Sequence, residues 1–328
     1  MSEGALRIGT SGWNYPSGRG TWNGIFYPPS RGRAKTFDEL SFYADHFNTV
    51  EVNSTFYGQP RVDVCRAWAE RTPNGFEFAV KLYQKFTHPK MYKQQFTKTS
   101  SKGEVSADDA LIDALTKPNQ SDLDDFKRGV EPLASAGKLG PLLAQFPSSF
   151  KNEAASVEYL QWLLRSFGEY PLAVELRHRS WSDALPQTLS LLNSHGAAFV
   201  QIDEPKFRLS IAQNQLPNIT TFYYMRLHGR NAAKWWSHEK SEDRYDYLYS
   251  AGELQEFVGT IDAARSIVRK AYLYTNNHFS AKSVANAAMI KKQLGEPVDG
   301  EYSEEFRARY PDAVAIRIAS HESLRKRS

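Results

Sequence analysis

Cysteine is nearly missing from this chain: Cys65 is the single one in 328 residues, so no disulfide can form within it and a cystine-stapled scaffold is excluded. Cys65 sits with Trp68 and Ala69 on the apolar side of a predicted helix, which reads as a core thiol rather than a nucleophile. Long apolar runs are also missing. No stretch approaches the ~18 apolar residues of a membrane span, and residues 1–7 carry no leader-like apolar segment. A soluble, cytoplasmic protein without membrane partners is therefore expected.

Charge of one sign is not concentrated anywhere except Arg325-Lys326-Arg327. The formal net charge of +4 is mild, so no nucleic-acid footprint is indicated. No G-x-G-x-x-G or P-loop pattern follows a strand, which counts against a nucleotide fold. Gly9-Thr-Ser-Gly12 has the wrong spacing and reads as a tight turn. Compact metal motifs such as H-x-H or H-E-x-x-H are lacking too.

What is present is ample core material: 41% of residues are hydrophobic, enough to rule out global disorder. The length suits a one-domain α/β barrel of about 250 residues with insertions. The centre of the pattern is Thr49-Val-Glu-Val-Asn-Ser-Thr-Phe-Tyr57, where Val50 and Val52 fall on one face and Glu51, Asn53 and Thr55 on the other. Seven further segments read as strands: 6–12, 77–83, 139–146, 171–177, 198–203, 222–228 and 271–276. Helical periodicity, or a segment standing in its place, follows each. The helix over 37–47 has Thr36 as its expected N-cap and Glu39 as the capping-box partner.

Eight strands in βα alternation predict a single (β/α)8 TIM barrel over residues 1–296. Residues 92–120 are an extended polar insertion after the third strand, and 297–328 a peripheral polar tail.

In such a barrel the late inward strand positions form the active-site mouth. With the apolar residues taken as helix-facing, those positions hold Ser11, Glu51, Asn53, Lys81, Gln145, Glu175, Arg177, Gln201, Asp203, Arg226, His228 and Asn276. Unpaired charge is costly in a barrel interior. Three acids against three bases would roughly neutralise one another, and their convergence at one end suggests a ligand site. Glycoside hydrolysis is disfavoured, because the ends of strands four and seven carry Gln145 and Arg226/His228 instead of carboxylates. Glu51, Glu175, Asp203 and His228 could hold a divalent metal, but Arg177 and Arg226 would repel it; no cofactor is expected. Two guanidiniums with Lys81 suit a small anionic ligand better.

Trp13, Tyr15 and Trp22 could cover such a ligand, although Trp13 and Tyr15, like Trp181, Trp235 and Trp236, also suit loop packing. His88, His178 and His278 follow strand ends near the mouth; His46, His195 and His321 are expected at the surface.

Seven ordered motifs carry a resemblance: Gly9-Thr-Ser-Gly-Trp13, Val50-Glu-Val-Asn-Ser-Thr-Phe-Tyr57, Phe78-Ala-Val-Lys81 with Thr87-His88, Gln145-Phe-Pro147, Val174-Glu-Leu-Arg-His178, Arg226-Leu-His-Gly229 and Asn276-Asn277. From about residue 6 to 295 the chain resembles the YecE-like family, the domain of unknown function numbered seventy-two. The resemblance implies a TIM barrel and no particular activity. It places family motif residues at Trp13, Glu51, Asn53, Lys81, Gln145, Glu175, Arg177, Arg226, His228, Asn276 and Asn277. The 92–120 segment looks longer than the family's usual connection, and Tyr274-Thr275 precedes the paired asparagines.

The expected function is an enzyme, whether hydrolase, lyase or isomerase, acting on a small anionic or polyhydroxylated substrate. Glu51 or Glu175 would be the general base and His228 or Asp203 the proton donor or orienter. Lys81, Arg177 and Arg226 would hold the anion, with Trp13, Asn53, Gln145, Asn276 and Asn277 binding substrate. The alternatives are a non-catalytic ligand sensor and a metal-dependent nucleic-acid-processing barrel.

Overall fold

The alternation of strand and helix takes three-dimensional form in a computed structural model that describes residues 4–31, 37–100, 109–213, 221–235 and 241–314. The strands are β1 (Ala5–Thr10), β2 (Thr49–Val52), β3 (Glu77–Lys81), β4 (Leu139–Gln145), β5 (Leu172–Glu175), β6 (Ala198–Phe199), β7 (Gln201–Asp203), β8 (Tyr223–Leu227) and β9 (Lys270–Thr275). Every pair is parallel, in the orders β2-β3-β4-β5-β6 and β1-β9-β8-β7. β6 and β7 are two halves of one predicted strand, parted at Val200, whose N–H bonds back to the Val174 carbonyl at 3.0 Å. At the other seam Ser11 bridges Glu51, and the Gly12 N–H donates to the Glu51 carbonyl at 2.8 Å. The two sheets thus meet at both seams, as in a TIM-like barrel.

Around them lie α1 (Glu39–Ala44), α2 (Val62–Glu70), α3 (Gln84–Thr87), α4 (Pro89–Ser100), α5 (Asp109–Thr116), α6 (Gln120–Ser135), α7 (Ala154–Ser166), α8 (Arg179–Asp183), α9 (Leu185–Ser194), α10 (Ala232–Trp235), α11 (Ala251–Arg265), α12 (Lys282–Gln293) and α13 (Glu304–Arg309). The helix α1 is capped by Asp38, which accepts from the Leu40 and Ser41 amides at 2.9 and 3.1 Å. Thr36, the expected cap, lies outside the described residues. Where the 92–120 segment is described it is largely helical, in α4, α5 and the start of α6. None of the described helices is long and apolar enough to cross a membrane.

The β1/β2 seam depends on a glycine. A Cβ built on Gly9 would stand 2.1 Å from the Thr49 carbonyl oxygen and 2.9 Å from the Tyr43 hydroxyl. Both neighbours are fixed, because Tyr43 Oη donates to that same carbonyl at 3.0 Å. Gly9→Ala must push the seam apart, and overpacking of this kind costs about 1–3 kcal/mol. A fall in thermal midpoint of several degrees is expected by calorimetry; an unchanged midpoint would show that the seam does not hold the barrel.

The barrel interior is polar in layers. At the N-terminal end the buried Glu77 accepts from Arg7 Nε at 3.0 Å, Lys270 Nζ at 2.8 Å and Tyr272 Oη at 2.7 Å. One layer up, the Tyr274 and Thr49 hydroxyls bond at 2.7 Å. Polar and aromatic side chains from β1, β2, β3 and β9 therefore occupy the barrel below the mouth.

Part of the C-terminal extension is built into the body. Tyr302 and Phe306 bury their rings against Phe26 at centroid distances of 6.2 Å. His46 is buried among them, with its ring nitrogens 2.8 Å from the Phe42 carbonyl and 3.2 Å from that of Glu301, so it is not the surface residue expected. His195 caps the end of α9 and is half-buried, while Trp236 and His321 lie outside the described residues. Tyr310 Oη donates to the Ser280 carbonyl at 2.6 Å. Ser280 and Ala281, at φ 53° and 61°, are left-handed in the turn after His278. The extension thus braces a strained turn beside the mouth. Cys65 is fully buried and its thiol is pushed up to about 12 by burial, as a core residue should be.

Candidate functional site

The period-2 rule carries Glu51, Lys81, Gln145, Glu175, Arg226 and His228 to the inner face at the C-terminal strand ends, and the register confirms the parity. Glu51 pairs with Ala79, and Gln145 with Glu175. Arg226 is the hub. Its Nε and Nη2 hold Glu51 Oε2 and Oε1 at 2.9 and 2.7 Å, and its Nη1 reaches Glu175 Oε2 at 2.5 Å and Gln145 Oε1 at 3.1 Å. All three charged side chains are essentially inaccessible to solvent.

Glu51 also accepts from Ser11 Oγ and Tyr224 Oη, each at 2.7 Å. Burial pushes its carboxyl up, but the Arg226 charge and these hydrogen bonds more than offset that, holding the pKa below the usual value. Glu175 is similar. Against the burial penalty stand Arg226 and Arg177, whose Nε donates to Glu175 Oε1 at 2.6 Å, and its pKa lies well below normal. Both carboxylates are ionised and committed to guanidinium partners. His228 sits among them, its Nε2 3.3 Å from Arg177 Nη2 and 3.4 Å from Arg226 Nη1, its Nδ1 2.9 Å from the Asn276 amide. Burial first, then the Arg226 charge, pushes it down to about 3, so it is neutral at physiological pH. As placed, Glu51 and Glu175 neutralise and aim Arg226 and Arg177.

Above this network opens a cavity of about 1090 Å³. Asn53, Lys81, Gln145, Arg177, Arg226 and Asn276 from the sequence reading all line it. Lys81 Nζ donates to Gln145 Oε1 at 2.9 Å and lies 4.2 Å from the centre of the Phe56 ring. Burial, and then the nearby Arg226 charge, lower its pKa to about 7. The backbone of Lys81 is fixed from β2's continuation: Asn53 turns to φ −99°, ψ −17°, ending the strand at Val52, and Thr55 Oγ1 then donates to the Lys81 carbonyl at 2.7 Å. The expected strand to Tyr57 is therefore a short strand and a 3₁₀ turn.

Three sequence-derived site residues lie elsewhere. Trp13 packs edge-on against Trp68 at 5.4 Å, away from the cavity. Asn277 is buried, its amide donating to the Tyr247 carbonyl and to Asn286 Oδ1 at 2.7 Å each. Asp203 accepts from Arg230 Nε and Nη2 at 2.8 and 3.0 Å and from Tyr249 Oη at 2.7 Å. The reason for Asp203 is parity. Ile202 pairs with the inward Arg226 and Asp203 with the outward Leu227, so the next inward carboxylate is Glu204.

Glu204 lines the cavity, and reading the strand one residue out of phase missed it. Its Oε2 is 3.4 Å from Arg177 Nη1, buried and without a hydrogen bond. Burial raises its pKa, with Arg177 opposing. Arg208 and Arg244 also line the mouth from loops, which no periodicity marks. His88, His178 and His278 reach it as expected. Burial and the Lys81 charge lower His88 to about 3, and burial lowers His278 to about 4. Among the described residues no three His, Cys, Asp or Glu side chains gather as a metal-ligand set. Of the residues that could have held a metal, Asp203 has turned to Arg230, and the two glutamates bind guanidiniums.

Comparison with known proteins matches residues 7–308 to the family described as "Protein of unknown function DUF72". UPF0759 protein YunF of Bacillus subtilis is 28% identical over 309 residues, spanning 91% of this chain and 96% of that protein. UPF0759 protein YecE of Escherichia coli K12 is 28% identical over 141 residues, 42% of this chain and 41% of its own. Among solved structures, a DUF72 family protein from Thermotoga maritima MSB8 is 31% identical with a TM-score of 0.70, covering 89% of this chain and 99% of that one. Another, from Enterococcus faecalis V583, is 21% identical with a TM-score of 0.70, covering 92% and 100%. The α/β barrel and the match along nearly the whole length agree: this chain belongs to the DUF72 family of proteins of unknown function.

Proposed function

We propose that this protein is an enzyme acting on a small anionic substrate at the C-terminal mouth of the barrel. The observation that carries the proposal is that Lys81, Arg177, Arg208, Arg226 and Arg244 line one cavity whose sole acidic lining residue, among those described, is Glu204. Arg226 is immobilised between two ionised carboxylates, and Arg177 between Glu175 and Glu204. Donors fixed in this way need no reorganisation as negative charge develops on a substrate.

Glu51 and Glu175 are ionised and tied to guanidinium partners, so acid–base work falls to the cavity wall. Lys81 and Glu204 fit that work, because their environments push the two pKa values toward each other: the ammonium down to about 7 and the carboxyl upward. Lys81 in its neutral form would take a proton from substrate, and Glu204 in its acid form would return one. Arg177 and Arg226 would hold the anion, and Asn53 and Asn276 would orient polar groups. Proton transfer beside an anion is common to hydrolases, lyases and isomerases.

The test is thermal stabilisation by a panel of sugar phosphates, carboxylates and nucleotides. A ligand at a hundred times its Kd should add about 2.7 kcal/mol of stability. A flat response to the whole panel would overturn the anion site. A ligand that binds without ever being converted would make the protein a sensor instead.

A further inference from the structure

We infer that the ligand of this mouth joins its anionic head to a planar or apolar body, as in an aryl or heteroaryl phosphate. The inference rests on the anion-site reading above and adds the substrate class. Its basis is where the exposed apolar side chains stand. Seven large hydrophobic residues are substantially exposed among those described, and four of them line this cavity: Tyr57 at 68%, Leu209 at 51%, Phe207 at 37% and Met91 at 36%. Scattered exposed hydrophobics need no explanation, but four gathered on the lining of one basic cavity do. Those four come from three separate connections, after β2, within the 89–100 helix and after β7. Local sequence bias in one loop does not account for them.

A second wall is aromatic. Tyr15 stacks on the His278 imidazole at 4.2 Å and 11°, and Tyr245 lies 4.8 Å from the same ring. His278 is lowered to about 4 by burial, so this stack carries no charge at neutral pH and offers flat apolar surface. In the same cavity, Lys81, Arg177 and Arg226 take the head group. A volume of about 1090 Å³ far exceeds what inorganic phosphate or a two-carbon acid fills, and matches ligands with a substantial body. Glu204 Oε2, buried and without a hydrogen bond, would accept an N–H or O–H from that body.

Calorimetric titration of the full chain with phenyl phosphate, inorganic phosphate and phenol tests the inference, on wild type, on Tyr57→Ala and on the Tyr57→Ala/Phe207→Ala double variant. Both side chains are exposed enough for their loss to leave the fold intact. Phenyl phosphate should bind at least ~10-fold more tightly than inorganic phosphate, phenol not measurably, and the variants should lose most of that advantage while keeping phosphate affinity. Equal affinity for the two phosphates, or an advantage untouched in the double variant, would overturn the inference while leaving the anion site standing. If neither phosphate binds, or phenol binds as well as its ester, the anion-site reading fails too.

Discussion

Arg226→Met is expected to be the most damaging single change in the molecule. It leaves the fully buried Glu51 without its guanidinium and the equally buried Glu175 with Arg177 alone. Breaking one partner out of a buried ion cluster costs about 3–5 kcal/mol, a large share of any domain's stability. The pH dependence makes the cause identifiable. In the wild type the two carboxylates have folded-state pKa values below their unfolded value of 4.5. Their stabilisation is therefore present above that pH and is lost as pH falls through the folded values. In the variant Glu175 keeps Arg177, but Glu51 is left desolvated with only the Ser11 and Tyr224 hydroxyls and no paired counter-charge, and its folded pKa rises above the unfolded one. Its deficit should shrink on acidification through the unfolded value, while the wild type weakens. Denaturant unfolding across this range checks both slopes. A variant that loses stability in parallel with the wild type on acidification would show that Arg226 does not neutralise these acids.

Replacing Lys81 should have the opposite signature. The ammonium is folded into an environment that lowers its pKa from 10.5 to about 7, so it contributes a penalty to folding. The sign follows from proton binding. Between about 7 and 10.5 the unfolded chain holds the extra proton, so stability rises with pH in that window and the full penalty is present below it. Lys81→Met removes the penalty and should leave the fold as stable as the wild type or more so at neutral pH and below. Ligand binding should move the other way. Anion affinity in the wild type should fall as pH rises through about 7, as Lys81 gives up its charge. The variant should bind about tenfold or more weakly below that pH and show a flat profile through it. Calorimetric titration beside thermal unfolding separates the two effects. A destabilised Lys81→Met protein with unaltered affinity would make Lys81 a structural residue and remove the proposed base.

The fold was legible because each strand announces itself twice, by its apolar alternation and by the turn residues that bound it. The Arg226 cluster was legible for a related reason. In an unbroken strand, position along the chain fixes the face, and β8, β2 and β5 are unbroken through Arg226, Glu51 and Glu175. The same rule failed in the sixth predicted strand. There the assumption that apolar side chains face the helices put Ile202 outside and Asp203 inside. Ile202 in fact pairs with Arg226 and faces inward, which turned Asp203 to Arg230 and gave the cavity to Glu204. Nothing in the spacing around Trp13 says that it would meet Trp68, which is distant in the chain, and Asn277 meets Asn286 only because the turn after His278 folds the next helix back onto it.

What the sequence determined by itself is the barrel, its polar mouth and most of the groups that converge there. These follow from periodicities of 2 and 3.6, which are local properties of the chain. Only the tertiary structure decided which charges are spent on one another and which remain for a ligand. Glu51, Glu175 and Arg226 are each suitable for catalysis as residue types. Desolvation together with mutual hydrogen bonding commits them to one another, while Lys81 and Glu204 are left at the cavity wall with shifted proton affinities. Burial and pairing act through space, between strands far apart in the chain, and no spacing in the sequence encodes them.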